Sequence, residues 1–249
     1  MILQGKIAVV TGASRGIGRA IAEIFAREGA TTVICGRRLD GLQAVAAANR
    51  HAGELVPMVC NIGRAEEVAL FTNAVLERFG DIDILVNNAA TNVQQGPCLE
   101  ADEAQFDKMV DVNLKSAFRL TRAFAPGMVR RGQGSIINIA STAGLRPQHE
   151  SLLYSMTKAA LIMLTKSYAM ELGPGGVRVN AIAPGLIRTV LSEYFWKDAG
   201  QGSGFLDRQA IRRIGEPEEI AEVALLLAGG KSGYITGEVV VVDGGFTLG

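Results

Sequence analysis

Tyr154 and Lys158 stand four residues apart in the stretch from Leu152 to Leu172, which contains neither Gly nor Pro and reads as one helix, so both side chains project from the same face. A phenol beside an ammonium can pass a proton to an oxygen and take it back. Free phenol, with a pKa of about 10, is a poor base at pH 7. Lowering it by about 3 units takes roughly 4 kcal/mol of preferential stabilisation of the phenolate, at about 1.36 kcal/mol per unit. A unit charge about 4 Å away supplies roughly that much at an effective dielectric of about 20. One ammonium is therefore sufficient in scale. A Tyr-x-x-x-Lys spacing by itself is more often a solvated pair, and its company gives it meaning. Ser141 ends an apolar run thirteen positions before Tyr154 and offers a hydroxyl to hydrogen-bond an oxygen as charge develops on it. Asn113 lies in a helical pattern after another such run.

A second constellation lies near the N-terminus, where an apolar run empties into Thr11-Gly12-Ala13-Ser14-Arg15-Gly16-Ile17-Gly18, followed by a helix pattern through Ile21, Ile24 and Phe25 to Gly29. Glycines let the chain turn tightly and let backbone approach a pyrophosphate, whose charge is favoured where the first N–H groups of a helix are unpaired. An ordinary glycine-rich turn is the plainer reading, and the position after the first strand favours the phosphate site. In NAD-binding units an acidic residue about 20 positions later holds the ribose 2′-hydroxyl. Here the second apolar run ends Cys35-Gly36-Arg37-Arg38, with no carboxylate before Asp40. A carboxylate repels a 2′-phosphate and a guanidinium grips one bidentately, so Arg37 with Arg15 predicts NADP(H), preferred over NAD(H). The alternative for Arg37 and Arg38 is a solvated helix start.

The elements that must position these groups alternate along the whole chain. Lys6 to Gly12, Thr31 to Gly36, Leu55 to Cys60, Ile82 to Asn88, Ser135 to Ser141, Val177 to Ala183 and Glu238 to Asp243 read as strands. Most are apolar nearly throughout, as strands buried on both faces must be, and helix-length segments separate them. The expected fold is α/β, a Rossmann-type doubly wound, seven-stranded parallel sheet in a single domain over residues 1–249. The one irregular region runs from Thr189 to Gly215, where Gly200, Gly202 and Gly204 interrupt an aromatic segment.

Composition removes several function classes. Lys plus Arg and Asp plus Glu both number 25, a balance with no electrostatic footprint for nucleic acid or an anionic membrane. No apolar run approaches the ~20 residues of a membrane span, and the start of the chain lacks a signal-peptide pattern, so a cytoplasmic location is expected. The three cysteines, Cys35, Cys60 and Cys98, are scattered and read as reduced thiols. With only His51 and His149 and no clustered ligands, a zinc-dependent alcohol dehydrogenase site is not expected.

The TGxxxGxG loop resembles the cofactor loop of the short-chain dehydrogenase/reductase family, and Asn113, Ser141, Tyr154 and Lys158 resemble its Asn-Ser-Tyr-Lys tetrad. The resemblance continues through Asn87-Asn88-Ala89-Ala90, where the family's NNAG ends in Ala, and through Pro184-Gly185-Leu186-Ile187-Arg188-Thr189. It extends through Gly215-Glu216-Pro217, Tyr234-Ile235-Thr236-Gly237 and Val242-Asp243-Gly244-Gly245, and so covers essentially the whole chain. It implies hydride transfer between a nicotinamide and a carbonyl or secondary alcohol, with Tyr154 as general acid/base. Lys158 would tune Tyr154 and hold the nicotinamide ribose, and Asn113 would hold a water in a proton relay.

By the same resemblance Gly12, Ser14, Arg15, Gly16, Ile17, Gly18, Arg37, Asn61, Ile62, Asn87 and Ala89 contact the cofactor, as do Tyr154, Lys158, Pro184, Gly185, Ile187 and Thr189. Asn61-Ile62 stands where the family usually has an Asp-hydrophobic pair. A lid at about 189–214 is implied, and its Leu191, Tyr194, Phe195, Trp196 and Phe205 suggest a bulky hydrophobic ketone or aldehyde; packing within the subunit or against a neighbour is the alternative. Arg146, Gln148 and His149 either edge the pocket or lie in a solvated loop. The runs Cys60 to Glu66, Trp196 to Asp198 and Ile211 to Pro217 resemble NADP-dependent carbonyl and retinal reductases of peroxisomes, although the chain ends Phe246-Thr247-Leu248-Gly249 without the SKL-type address. A 3-oxoacyl-thioester (acyl carrier protein) reductase is the main alternative, with Arg130 and Arg131 as candidate contacts for the carrier. A sugar or sterol alcohol dehydrogenase is another, and a non-catalytic NADP(H) sensor is disfavoured by the intact tetrad. A helix-paired homotetramer (dimer of dimers) is implied, with Leu152 to Leu172 apolar on more than one side.

Overall fold

A computed structural model describes residues 1–196 and 206–248 of the chain. Its strands are β1 (Ile7–Thr11), β2 (Thr31–Gly36), β3 (Leu55–Val59), β4 (Ile84–Asn87), β5 (Gly134–Ile139), β6 (Val177–Pro184) and β7 (Val239–Val242). All pair in parallel in the order β3-β2-β1-β4-β5-β6-β7. The helices are α1 (Gly16–Arg27), α2 (Leu39–Ala48), α3 (Ala65–Phe79), α4 (Glu103–Val110), α5 (Ser116–Arg130), α6 (Leu152–Leu172) and α7 (Pro217–Ala228).

Side chains alternate across a strand, so an apolar run divides its residues between the two faces of the sheet. Ala8 and Val10 pack with Ile21 and Phe25 of α1, Leu42 of α2 and Ile220 of α7. Val9, between them, packs with Phe71 and Val75 of α3 and with Leu120 and Phe124 of α5. Two cores therefore clamp one sheet, and each strand feeds both.

The strand order reverses between β1 and β4, which both neighbour each other while their chains wind away in opposite directions. A crevice must open beyond the carboxyl ends of the strands at such a point. The loops leaving β1, β4, β5 and β6 all end there. Among the described residues no helix is long and apolar enough to cross a membrane.

Candidate active site

Thr11, the last residue of β1, joins the two loops at the reversal point. Its Oγ1 accepts from the backbone N–H of Asn88 at 3.0 Å and of Ala89 at 3.1 Å, and donates to Val86 O at 3.3 Å. Asn88 Nδ2 donates back to Thr11 O at 2.7 Å. The glycine loop is closed tightly on α1: a Cβ on Gly18 would stand 2.5 Å from the Gly12 carbonyl oxygen, a separation that backbone cannot accept. Arg15 precedes α1 and offers no side-chain cap, so the helix presents its first N–H groups to the crevice.

Above this loop lies a cleft of about 220 Å³ bordered by Gly12, Ser14 to Gly18, Arg37, Asn61, Ile62 and Ala89. Arg15 and Arg37 are exposed, and among the described residues neither is engaged in a salt bridge. Asn61 turns its Oδ1 onto the N–H of Gly63 at 3.2 Å. A cradle that one methyl group would fill, uncapped helix N–H groups and two unpaired guanidiniums form a donor set suited to a phosphorylated dinucleotide. Asn87 does not border the cleft. It is the buried last residue of β4, and its Nδ2 donates to Asn138 Oδ1 at 2.8 Å. The wall position goes to its neighbour Asn88, which borders both this cleft and the pocket beyond it.

That pocket, of about 120 Å³, gathers Ser141, Tyr154, Lys158, Pro184, Gly185, Ile187 and Thr189, and it shares Ile17 and Thr189 with the cleft. Tyr154 and Lys158 come from α6, and Ser141 caps the turn Thr142–Gly144 by accepting from Ala143 N at 3.1 Å. This turn lies directly on α6, because a Cβ on Gly144 would come within 2.7 Å of the Lys158 carbonyl carbon. Glycine at 144 thus sets the distance between the hydroxyl of one element and the phenol and amine of the other.

Lys158 is 2% exposed, and its Nζ donates to Ile139 O at 2.7 Å while lying 5.6 Å from the centroid of the Tyr154 ring. Burial lowers Lys158 from its ordinary 10.5 to about 7. Burial pushes the Tyr154 phenol up to about 12, and a hydrogen bond with Ser141 pulls in the opposite direction. One ammonium therefore does not make the phenol acidic in the protein alone, contrary to the expectation from sequence. Desolvation penalises both charged forms, and an amine near pH 7 carries only part of its charge. At neutral pH the phenol holds its proton, which equips it as an acid.

Asn113 sits apart from both cavities, in a π-helical turn over Asp111–Lys115 between α4 and α5. Its Oδ1 accepts from Thr91 N at 2.8 Å, and its Nδ2 donates to Thr91 O at 2.9 Å and to Thr157 Oγ1 at 3.1 Å. Both amide hydrogens are spent. Thr157 Oγ1 in turn donates to Tyr154 O at 2.9 Å, so the side chain of Asn113 braces the helix that carries the phenol.

The segment after β6 divides its apolar residues. Leu191 and Phe195 face the pocket, whereas Tyr194 is exposed and Trp196 donates from Nε1 to Ser192 Oγ at 3.1 Å beneath the Arg188 guanidinium. Ser192 also joins Thr189 and the Ile187 carbonyl, and Arg188 N donates to Gly215 O at 2.8 Å, tying the start of the segment to its end. Lys197, Asp198, Gly200, Gly202, Gly204 and Phe205 lie outside the described residues. Gln148 borders the pocket; Arg146 borders a separate surface cavity, and the His149 side chain is 92% exposed. Ser192, which borders the pocket, and Lys108, which borders the cleft, went unsignalled in the sequence, since a lone Ser or Lys in a polar loop has no distinctive spacing; Asn88 lay within the NNAG-like motif, but the contact was assigned to Asn87.

Comparison with known proteins agrees with this geometry. A family model described as Enoyl-(acyl carrier protein) reductase matches residues 12–247. The chain is 40% identical over 244 residues to rabbit (Oryctolagus cuniculus) dehydrogenase/reductase SDR family member 4, covering 98% of this chain and 94% of that one. It is 37% identical over 251 residues to a 3-oxoacyl-(acyl-carrier-protein) reductase of Thermotoga maritima, covering both chains fully. A gluconate 5-dehydrogenase from Burkholderia cenocepacia, solved in complex with NADP and tartrate, superimposes with a TM-score of 0.93 at 31% identity, over 99% of this chain and 97% of the other. With its strand order, its glycine loop and its Ser, Tyr and Lys in one crevice, the chain belongs to the short-chain dehydrogenase/reductase family, as an oxidoreductase acting on CH–OH groups with NAD(P).

Proposed function

We propose that the chain is an NADP(H)-dependent carbonyl reductase acting on apolar ketones or aldehydes. The observation that carries this reading is the shared wall of two cavities: the pocket holding Ser141, Tyr154 and Lys158 has Ile17, Asn88, Ala90, Thr189 and Leu191 in common with the cleft flanked by Arg15 and Arg37. Bound there, the nicotinamide cofactor supplies or accepts the hydride. Arg15 and Arg37 grip the 2′-phosphate, and the backbone from Gly12 to Gly18 cradles the diphosphate. Asn61 and Ile62 would hold the adenine end, and Ala89 would border the rest of the cofactor. Pro184, Gly185, Ile187 and Thr189 hold the nicotinamide end. Asn87 acts from within the sheet by fixing the course of Asn88 and Ala89.

Ser141 and Tyr154 both hydrogen-bond the substrate oxygen, and Tyr154 delivers its proton as negative charge grows there. A phenol near 12 is fully protonated at neutral pH, so the proton to be delivered is in place before hydride arrives. Lys158 stabilises the phenolate left behind and holds the nicotinamide ribose, and Asn113 braces Tyr154 through Thr157. Leu191 and Phe195 give the pocket an apolar side, which supports an apolar substrate.

A thioester substrate is the second reading, favoured by the identity with the Thermotoga enzyme. Against a carrier-protein patch, Arg130 and Arg131 are both engaged with Asp81, at 2.9 and 3.5 Å. Turnover of a panel of aryl ketones, aliphatic aldehydes, a sugar ketone and acetoacetyl-coenzyme A, followed by NADPH absorbance, separates the readings. Preference for the thioester would replace the first, and no turnover on any member would remove it. The apolar, exposed Met156 and Met163 on α6 support helix pairing in a homotetramer. A stable monomer by light scattering would refute that assembly.

A further inference from the structure

Two thiols border the nucleotide cleft and have no part in the chemistry above. Cys35 is in β2, and Cys60 directly follows β3. Cys35 is in register with Met58, so Cys60, two residues on, lies on the same side of the sheet. Cys60 N donates to Gly36 O at 2.9 Å, and Cys35 Sγ lies 3.9 Å from Cys60 O. Both residues are buried within the chain, at 0% and 2% exposure, yet both form part of the cleft wall. The Cys35 thiol donates toward the Cys60 carbonyl and so keeps its proton; interaction with Cys60 and burial push Cys35 well up, and interaction with Cys35 draws Cys60 down. Cys60 is thus the nucleophile and Cys35 the proton donor of the pair. Cys98, by contrast, is exposed and borders a different cavity.

We propose that Cys35 and Cys60 form a dithiol modification site in the wall of the cleft, which a peroxide oxidises to a disulfide and which bound NADP(H) shields. The shielding rests on the cofactor reading given above; the disulfide does not. Cys60 thiolate attacks one peroxide oxygen, an S–O bond forms as the O–O bond breaks, and the departing hydroxide leaves as water after taking a proton. Cys35 sulfur then attacks the Cys60 sulfenic acid, the S–S bond forms as S–O breaks, and the second hydroxide leaves as water with the Cys35 proton. Two thiols are oxidised, and one peroxide is reduced to two waters.

Closure has a mechanical consequence. Diagonal neighbours on adjacent strands stand about 7–8 Å apart, and a disulfide wants its Cα atoms within about 7 Å. The end of β3 must therefore move toward β2, carrying Asn61 and Ile62 with it. The same movement pulls on Cys35, whose carbonyl accepts from Ala13 N of the glycine loop at 3.1 Å. The oxidised cleft should bind nucleotide more weakly.

The test uses the full chain carrying Cys98→Ser, treated with hydrogen peroxide with and without saturating NADPH and read by peptide mass spectrometry. The expected result is a linked Cys35–Cys60 peptide, two hydrogens lighter and reversed by dithiothreitol, forming at least about tenfold more slowly with NADPH present. NADPH affinity of the oxidised protein, read by cofactor fluorescence, should fall by about tenfold. Sulfinic acid at either cysteine without a linked peptide would overturn the proposal, as would a linked protein with unchanged NADPH affinity. Cys35→Ala, which leaves Cys60 without its partner, should convert the product to Cys60 sulfenic and sulfinic acids. If reduced protein fails to bind NADPH at all, the cofactor reading falls while the linked peptide still decides the dithiol.

Discussion

Lys158 should make the protein less stable near neutral pH, and Lys158→Met should reverse this. The lysine is 2% exposed, and its folded pKa of about 7 lies below its ordinary 10.5. Between those values the unfolded chain binds more protons than the folded one, so stability rises with pH across that window and the full penalty is present below about 7. From pH 6.5 to 9.5 the group should contribute about 3 kcal/mol of recovered stability, at about 1.36 kcal/mol per unit of separation. The window stays below the range in which Tyr154 acts with the opposite sign: its folded pKa is raised to about 12, so its contribution is lost only as pH climbs above about 10.

Methionine keeps the length and volume of the stem without the charge and cannot bond Ile139 O. Thermal unfolding of the cofactor-free protein at the two pH values gives four melting temperatures, and the difference of differences isolates residue 158 from other titrating groups. A 3 kcal/mol term corresponds to roughly 6–12 °C for a chain of this size. The variant should gain on the wild type at pH 6.5 by about that much more than at pH 9.5, while losing turnover. A variant-minus-wild-type difference independent of pH would refute the claim that a buried, desolvated ammonium sits at this place.

Tyr154→Phe should bind NADPH as the wild type does and lose turnover by at least about a thousandfold; near-normal rates would reassign the proton donor. Arg37→Ala should weaken NADPH by about tenfold to a hundredfold, the worth of a charge-assisted pair of roughly 1.5–3 kcal/mol, and leave NADH almost unchanged in fluorescence titrations. Equal losses for both cofactors would mean the guanidinium does not meet a 2′-phosphate. Gly18→Ala places a Cβ 2.5 Å from Gly12 O and should weaken NADPH at least about tenfold; unchanged affinity would show that the loop can yield. Asn113→Ala, which strips three hydrogen bonds from a buried site, should lower the melting temperature. Its effect on rate should appear in kcat more than in KM if it acts by bracing Tyr154.

The sheet was legible because burial on both faces leaves a continuous apolar run. The alternating assignment of Ala8, Val9 and Val10 to two separate cores is the reason each run had to be apolar throughout. The ends of strands were less legible: Ile82 to Asn88 reads as one run, but the ladder spans only Ile84–Asn87. That small difference decides chemistry, because side-chain direction flips with each residue. Asn87 turns into the sheet toward Asn138 while Asn88 reaches the cleft, and two adjacent asparagines offer no compositional cue to which does which. The π turn at Asp111–Lys115 was hidden for a related reason, since one extra residue per turn changes hydrogen-bond partners without changing residue preference.

The proton-transfer pair shows how far spacing carries. The four-residue interval placed Tyr154 and Lys158 on one face, and the structure brings both into one pocket. Spacing gives proximity, however, and proximity fixes only the attraction between phenolate and ammonium. The opposing cost depends on what surrounds them, and that is set by Gly144 drawing its turn onto α6 and by Ile139 presenting a carbonyl, neither of which neighbours the pair in sequence. Here the cost wins, leaving a phenol near 12 and an amine near 7. The site therefore stores an acid that is reluctant to ionise. Further positive charge beside Tyr154 is needed before its phenolate becomes accessible, so alcohol oxidation, which needs that phenolate as its base, should call for alkaline pH.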